Sequence, residues 1–230
     1  IAHSHKGKYM ETTKLHINEW TLRVSIPDTP GPHQVMLLLH GWTGDENVMW
    51  VFARKLLPTY LVVAPRAPYP TSRGGYGWQP TLADSWPTVE DLRPAVDSLL
   101  TLLEALATDV RTASGNFYTV DVMGFSQGAA VAATWALTHP QRVRALALLA
   151  GFLPDGADDL TLSQPLAGKF AFVAHGTHDA MVPVTRAHQS VALLQQAGAR
   201  VTYCEDETGH KLSASCARAL WEFWEAMGRR

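Results

Sequence analysis

The sequence predicts an α/β domain built on a mainly parallel sheet with helices on both faces. Three observations carry this. Several short segments are apolar at every position, so they belong inside a sheet covered on each side. Helix-period segments alternate with them along most of the chain. A Gly-x-Ser-x-Gly pentapeptide stands where one such strand would turn into a helix.

The elements follow in order. Residues 14–26 alternate Leu15, Ile17, Leu22, Val24 and Ile26 with polar neighbours, which predicts one or two antiparallel strands closed by the proline-rich 27–32 turn. Val35-Met36-Leu37-Leu38-Leu39 is the first strand apolar on both faces. The pattern recurs at 61–64, 119–123, 145–149, 170–174 and 200–203. Helical spacing predicts helices over 47–57, 89–106, 127–137, 184–196 and 213–227. Two connections are long, 66–87 with Tyr69, Tyr76, Trp78 and Trp86, and 151–168 with Phe152 and Leu153. Both follow strands, so both belong at the C-terminal edge of the sheet, where ligands bind in such folds. The chain carries no repeat, low-complexity tract or linker. It reads as one domain over 14–230, preceded by a polar arm over 1–13 that is expected to be unstructured.

Composition bounds the function. At 230 residues and 25.2 kDa the chain fits one domain. Mass scaling gives about 10,000 Å² of folded surface against about 36,000 Å² unfolded, enough burial to need no metal or disulfide. With 47% apolar and 17% charged residues, disorder is excluded. Nineteen basic against twenty-one acidic side chains, without a basic cluster, argue against nucleic acid as a partner. No apolar run reaches the roughly 20 residues that cross a bilayer, and residues 1–10 lack the apolar stretch of a signal peptide. Cys204 and Cys216 are expected to be idle thiols, which makes a reducing cytoplasm the default setting.

The chemistry centres on Gly124-Phe125-Ser126-Gln127-Gly128. A serine on a sharp strand-to-helix turn needs flanking residues without bulk, and the turn lifts its hydroxyl above the sheet over a helix N-terminus that favours negative charge. A serine hydroxyl is a poor nucleophile near neutral pH, so a base must take its proton and an acid must orient the base. On such sheets the acid and then the base follow later strands. Asp179 stands just beyond the 170–174 strand, and His210 stands beyond the last one. Asp155, Asp158 and Asp159 are rival acids, and Asp206 lies four residues before His210. His175, His178 and His188 are rival bases, but only His210 occupies the loop after the last strand. His175-x-x-His178-Asp179 lies in a turn and lacks the spacing of four that puts two metal ligands on one helix face, so no metal is expected. His175 reads as a support for the backbone. An oxyanion needs two N–H donors. Gln127, after the nucleophile, offers one, and Trp42, in the His40-Gly41-Trp42-Thr43-Gly44 loop, offers the other.

At these residues the chain resembles the phospholipase/carboxylesterase group of the α/β-hydrolase superfamily, which includes acyl-protein thioesterases. The matching pieces are His40-Gly41 with Gly44-Asp45, Gly124 through Ala129, His175-Gly176 through Asp179 with Val182-Pro183, and Gly209-His210. The resemblance implies an α/β-hydrolase fold without a large cap that cleaves carboxylic esters or thioesters and uses no cofactor. The chain departs from the family at Trp42, where a modest aliphatic residue is usual, so acyl-chain preference does not carry over. The residues together read as a serine hydrolase that cleaves short- to medium-chain esters, with thioesters and lysophospholipids as related substrates. Trp42, Tyr76, Trp78, Trp86, Leu153 and Met181 are expected to line the substrate pocket. A receptor-like protein with negligible turnover and an amide hydrolase are the alternatives. The expected partner is a small ester, and the sequence does not decide between a monomer and a homodimer.

Overall fold

The computed structural model describes residues 11–53, 56, 58–81 and 85–229. Most of the arm expected over 1–13 lies outside them. Two antiparallel strands, β1 (Thr13–Ile17) and β2 (Trp20–Ser25), lead into β3 (His33–Leu39), and a short helix α1 (Trp50–Ala53) precedes β4 (Tyr60–Pro65). A small hairpin of β5 (Tyr69–Pro70) and β6 (Tyr76–Gly77) interrupts the first long connection. The helix α2 (Val89–Thr108), strand β7 (Gly115–Phe125), helix α3 (Gln127–Thr138) and strand β8 (Val143–Leu149) follow. The chain closes with α4 (Ala157–Thr161), β9 (Phe170–Gly176), α5 (Val184–Gln196), β10 (Arg200–Asp206) and α6 (Ala214–Gly228).

Eight strands form one sheet in the order β1-β2-β4-β3-β7-β8-β9-β10. Pairing is antiparallel from β1 through β2 to β4 and parallel from there on. Each doubly apolar strand divides its side chains between two cores, as the pleat requires. Val35, Leu37 and Leu39 pack with Leu92, Val96 and Leu99 of α2 and with α3. Met36 and Leu38 pack on the other face with Ala53 of α1 and with Leu220 and Trp224 of α6. The polar mid-strand exception is Asp121, which is buried and bonds Arg144 Nε (3.0 Å) and the Tyr60 hydroxyl (3.0 Å). The segment after β8 holds only the five-residue α4, so no large cap covers the sheet edge.

Two expectations need correction. Among the described residues, the helix expected over 47–57 starts only at Trp50 and covers Trp50–Ala53, with residues 47–49 in a turn. Asp45 accepts hydrogen bonds from the Asn47 backbone N–H (2.8 Å) and side-chain amide (3.0 Å), a local turn that competes with helix formation. The two cysteines are not idle thiols. The turn after β10 folds back so that the Cα atoms of Cys204 and Cys216 lie 5.5 Å apart, and the pair forms a disulfide. Twelve residues separate them in sequence, so their spacing alone gave no reason to pair them. The expectation of a reducing compartment loses its basis with this bond.

Candidate active site

The C-terminal ends of β3, β7, β9 and β10 meet at one edge of the sheet. Register places Leu39 beside Gly124, and Phe125 beside Leu149. Ser126 follows at once, with φ 52° and ψ −117°, before α3 begins at Gln127. A positive φ in a residue with a β-carbon is strained and persists only where its surroundings enforce it. Here the Ser126 N–H donates to the Leu149 carbonyl (2.9 Å), and the Ser126 carbonyl accepts from Ala129 N–H (3.0 Å). The flanking glycines permit backbone-to-backbone contact. A β-carbon on Gly124 would lie 2.2 Å from the Gly128 carbonyl oxygen, and one on Gly128 would lie 2.2 Å from that of Leu39.

Asp179 is buried in the turn after β9. One carboxylate oxygen, Oδ1, accepts from the backbone N–H groups of Met181 (2.8 Å) and Val182 (2.9 Å). The other, Oδ2, lies 2.7 Å from Nδ1 of His210. The His210 loop is seated on the end of β9. Thr177 N–H donates to the Asp206 carbonyl (2.9 Å), and His178 N–H donates to that of Thr208 (3.0 Å). Gly176 allows this approach, since a β-carbon there would meet the Thr208 oxygen at 2.2 Å. The Phe125 ring meets the His210 imidazole edge to face at 5.0 Å. Ser126 and His210 line the same cavity, which has a volume of about 880 Å³.

The rival groups are engaged elsewhere. Asp155 pairs with Arg186 (2.9 Å), and Asp158 and Asp159 are exposed in the first turn of α4. Asp206 caps its own neighbourhood through Glu207 N–H (2.8 Å) and the Ser215 hydroxyl. His188 bonds Glu205 (2.6 Å), and His178 is exposed. His175 lies buried beneath the acid, with Nε2 2.8 Å from the Val182 carbonyl and 3.4 Å from Asp179 Oδ2. No group of three or more candidate metal ligands occurs among the described residues.

Opposite the serine, the loop after β3 is fixed by His40. Its Nε2 accepts from Ala67 N–H (3.0 Å), so Nδ1 carries the proton and donates to the Gly41 carbonyl (2.7 Å). Burial holds this imidazole below its ordinary pKa and therefore neutral. Gly44 N–H donates to the same carbonyl (3.0 Å). A trans peptide points its N–H opposite its C=O, so the Trp42 N–H faces away from His40. Gly41 abuts the nucleophile, since a β-carbon there would lie 3.2 Å from Cβ of Ser126. The side chain of Gln127 is tied back, accepting from Trp78 N–H (3.0 Å) and donating to Gln79 (3.2 Å). Its backbone N–H lies in the first turn of α3, where no intrahelical acceptor exists.

Of the six expected pocket residues, Trp42, Trp86 and Met181 line the cavity, and three do not. Trp78 is buried, its indole N–H donating to the His40 carbonyl (2.7 Å). The Tyr76 ring lies under the Arg66 guanidinium (4.5 Å) and its hydroxyl accepts from Arg66 (3.1 Å), which holds it to the loop's outer side. Leu153 points into the core, and its N–H donates to the Ser190 hydroxyl (2.8 Å). Residues that the sequence reading did not assign to the pocket complete the wall. Val48, Val51 and Phe52 come from the 46–53 segment, Phe152 stacks edge-on against Trp86 (4.7 Å), and Arg73 comes from the β5–β6 hairpin. Val48 and Val51 are half exposed, and their place off the core face of a predicted helix was the available signal. Sequence gave no sign of the buried Glu46, which accepts two bonds from Arg66 (2.7 and 2.9 Å) and pairs with Lys14 (3.0 Å). Burial pushes the Glu46 pKa up, but these cations outweigh it and hold the carboxyl at about 2.

The family model for phospholipases and carboxylesterases matches residues 22–227. No curated protein matches the sequence. Among solved structures, a Bacillus cereus carboxylesterase is similar at a TM-score of 0.77 and 22% identity, over 91% of this chain and 95% of that one. A Mesorhizobium loti carboxylesterase is similar at 0.76 and 23%, over 93% and 98%. An acyl-protein thioesterase 2 of Zea mays is similar at 0.69 and 19%, over 89% and 97%. At these identities the structural likeness speaks for the fold.

Proposed function

Because this chain belongs to the phospholipase/carboxylesterase family of α/β-hydrolases, we propose that it cleaves carboxylic esters through an acyl-enzyme formed on Ser126. The observation that carries this reading is the 2.7 Å pairing of His210 Nδ1 with the buried carboxylate of Asp179, in one cavity with a serine held at positive φ. With Nδ1–H donating to Asp179, the imidazole presents an unprotonated Nε2 to the cavity. Ser126 Oγ attacks the ester carbonyl as its proton passes to Nε2, and Asp179 stabilises the imidazolium. The negative charge on the carbonyl oxygen is held by the backbone N–H groups of Trp42 and Gln127. The tetrahedral intermediate collapses, His210 protonates the leaving alkoxide, and the acyl group stays on Ser126. Water, deprotonated by His210, then releases the acid.

Short- to medium-chain acyl groups are the preferred substrates in this reading, supported by the place of Trp42, whose backbone N–H is the proposed oxyanion donor, among the residues that line the cavity. Thioesters undergo the same steps with a better leaving group. No helix among the described residues is long and apolar enough to cross a membrane, in keeping with a small ester as partner.

A fluorophosphonate probe followed by peptide mapping tests the assignment. The expected result is stoichiometric labelling of Ser126, with labelling and turnover both lost in Ser126→Ala. Labelling of another serine, or full activity in that variant, refutes it.

A further inference from the structure

We propose that the substrate carries an anionic group, a carboxylate or phosphate, and that Arg73 receives it. The inference rests on the reading of Ser126 as the nucleophile and adds the chemical class of the ester.

Arg73 is the one Lys or Arg among the described residues that line the cavity, and none of those residues is an Asp or Glu. Half of the lining residues are Trp, Phe, Val or Met, whose side chains offer a guanidinium no strong hydrogen-bond acceptor. Among the described residues Arg73 has no ion-pair partner, whereas the nearby Arg66 is bound on both sides by Glu46. The hairpin also fixes where Arg73 stands. Thr71 N–H donates to the Gly75 carbonyl (3.0 Å), and the Thr71 hydroxyl donates to that of Gly74 (2.7 Å). Gly74 and Gly75 take the positive φ values this turn demands, 82° and 70°. The hairpin is then fastened to the loop after β3. Tyr76 N–H donates to the Gly44 carbonyl (2.9 Å), and a β-carbon on Gly75 would lie 1.9 Å from the Thr43 carbonyl oxygen. The base of the arginine is thus held to the segment that carries Trp42, while its guanidinium has no ion-pair partner among the described residues.

The surrounding field has the same sign. The positive end of the twelve-residue α3 opens at Ser126 on the cavity floor, and no carboxylate of the described wall opposes it. A guanidinium offers a planar fork of donors that suits carboxylate and phosphate oxygens alike. An ester whose charged group reaches Arg73 while its carbonyl meets Ser126 is held at two points. A neutral ester of the same size is held at one.

The test compares each substrate with itself across variants, which cancels leaving-group reactivity. Phenyl hemiglutarate and phenyl pentanoate place the charge, or its absence, on the acyl side. 4-Acetoxybenzoate, 4-acetoxyphenyl phosphate and methyl 4-acetoxybenzoate do so on the alcohol side. Arg73→Gln is expected to lower kcat/KM about tenfold for at least one anionic ester, equivalent to about 1.4 kcal/mol. The loss should fall on KM, shrink in 0.5 M salt and be largely restored in Arg73→Lys. The neutral esters should stay within about twofold. A carboxylate-only or phosphate-only loss identifies the group. Equal effects on charged and neutral esters, or none on either, overturn the proposal and leave the nucleophile assignment standing. If the wild-type protein cleaves none of the esters, the hydrolytic reading fails, and this proposal fails with it.

Discussion

Asp179→Asn is the sharpest test of the catalytic geometry, because the structure dictates how the new side chain must sit. In the wild-type turn Oδ1 accepts from two backbone N–H groups, those of Met181 and Val182. The asparagine oxygen is therefore driven to that position, and its NH₂ takes the place of Oδ2, 2.7 Å from His210 Nδ1. Two donors cannot face each other at that distance. The imidazole must move its proton to Nε2, and Nδ1 becomes the acceptor. In the proposed mechanism Nε2 must take the serine proton; carrying one already, it cannot, so the general base is lost while the fold keeps its shape. The expected fall in kcat is roughly 10³ to 10⁴, about 4 to 5.5 kcal/mol of transition-state stabilisation at 1.36 kcal/mol per tenfold. The assay is steady-state hydrolysis of 4-nitrophenyl butanoate, with thermal unfolding of each variant recorded alongside. Asp206→Asn serves as the control, since Asp206 bonds Glu207 N–H and the Ser215 hydroxyl and should change kcat by less than about threefold. The reasoning fails if Asp179→Asn retains more than about a tenth of wild-type kcat, or if Asp206→Asn causes the larger loss in a folded protein.

Trp42→Ala, assayed with acetyl through dodecanoyl esters, should move an acyl optimum of at most about eight carbons upward, with each newly buried methylene adding about 0.8 kcal/mol, close to fourfold in kcat/KM; an unmoved optimum assigns the length filter elsewhere. His40 is held neutral by burial, while in the unfolded chain it protonates near 6.5. Its contribution to stability is therefore complete above pH 6.5 and is lost as the pH falls below that value. Urea unfolding between pH 7.5 and 5 should show a smaller acid-side loss in His40→Gln than in wild type. Equal slopes would mean that His40 does not titrate on unfolding. Replacing both Cys204 and Cys216 by serine opens a loop closed across twelve residues, and chain entropy puts the cost at about 3 kcal/mol. Denaturant midpoints measure that loss. The same change should lower kcat, because His210 lies inside the loop, and unchanged kcat would show that other contacts suffice to hold it.

The fold was legible because its inner strands β3, β4, β8 and β9 are buried on both faces, although the edge strand β10, expected to share that pattern over 200–203, has no neighbour on one side and stays partly exposed. A run such as Val35 to Leu39 can sit nowhere else, and the helices between such runs follow from spacing. The elbow was legible for a similar reason, since only glycine fits where Gly128 meets the Leu39 carbonyl. Order along the chain then singled out Asp179 and His210. What escaped depends on contacts distant in sequence. Trp78 looked like a loop aromatic free to meet substrate, yet its indole N–H satisfies the His40 carbonyl 38 residues away. Cys204 and Cys216 look unrelated until the His210 turn brings them together. Arg73 and Glu46 are ordinary surface charges in sequence, and only the folded loops reveal that one lines the cavity without an ion-pair partner among the described residues and the other is buried against Arg66.

The contacts that seat the candidate nucleophile and base are made by main chain on main chain at Gly124, Gly128 and Gly176, and by bare main chain at Gly41, which meets Cβ of Ser126 and the Phe125 ring. Their geometry depends on the absence of side chains at four positions and hardly at all on which side chains stand elsewhere. This dependence divides the molecule for anyone who wishes to redesign it. The cavity wall formed by Val48, Val51, Trp86, Phe152 and Met181 can be randomised as a block, since none of those side chains sets the position of Ser126 or His210. A library confined to those five positions would search substrate scope on a fixed catalytic frame, whereas one that admitted any residue at Gly128 would consist mostly of unfolded or inactive chains.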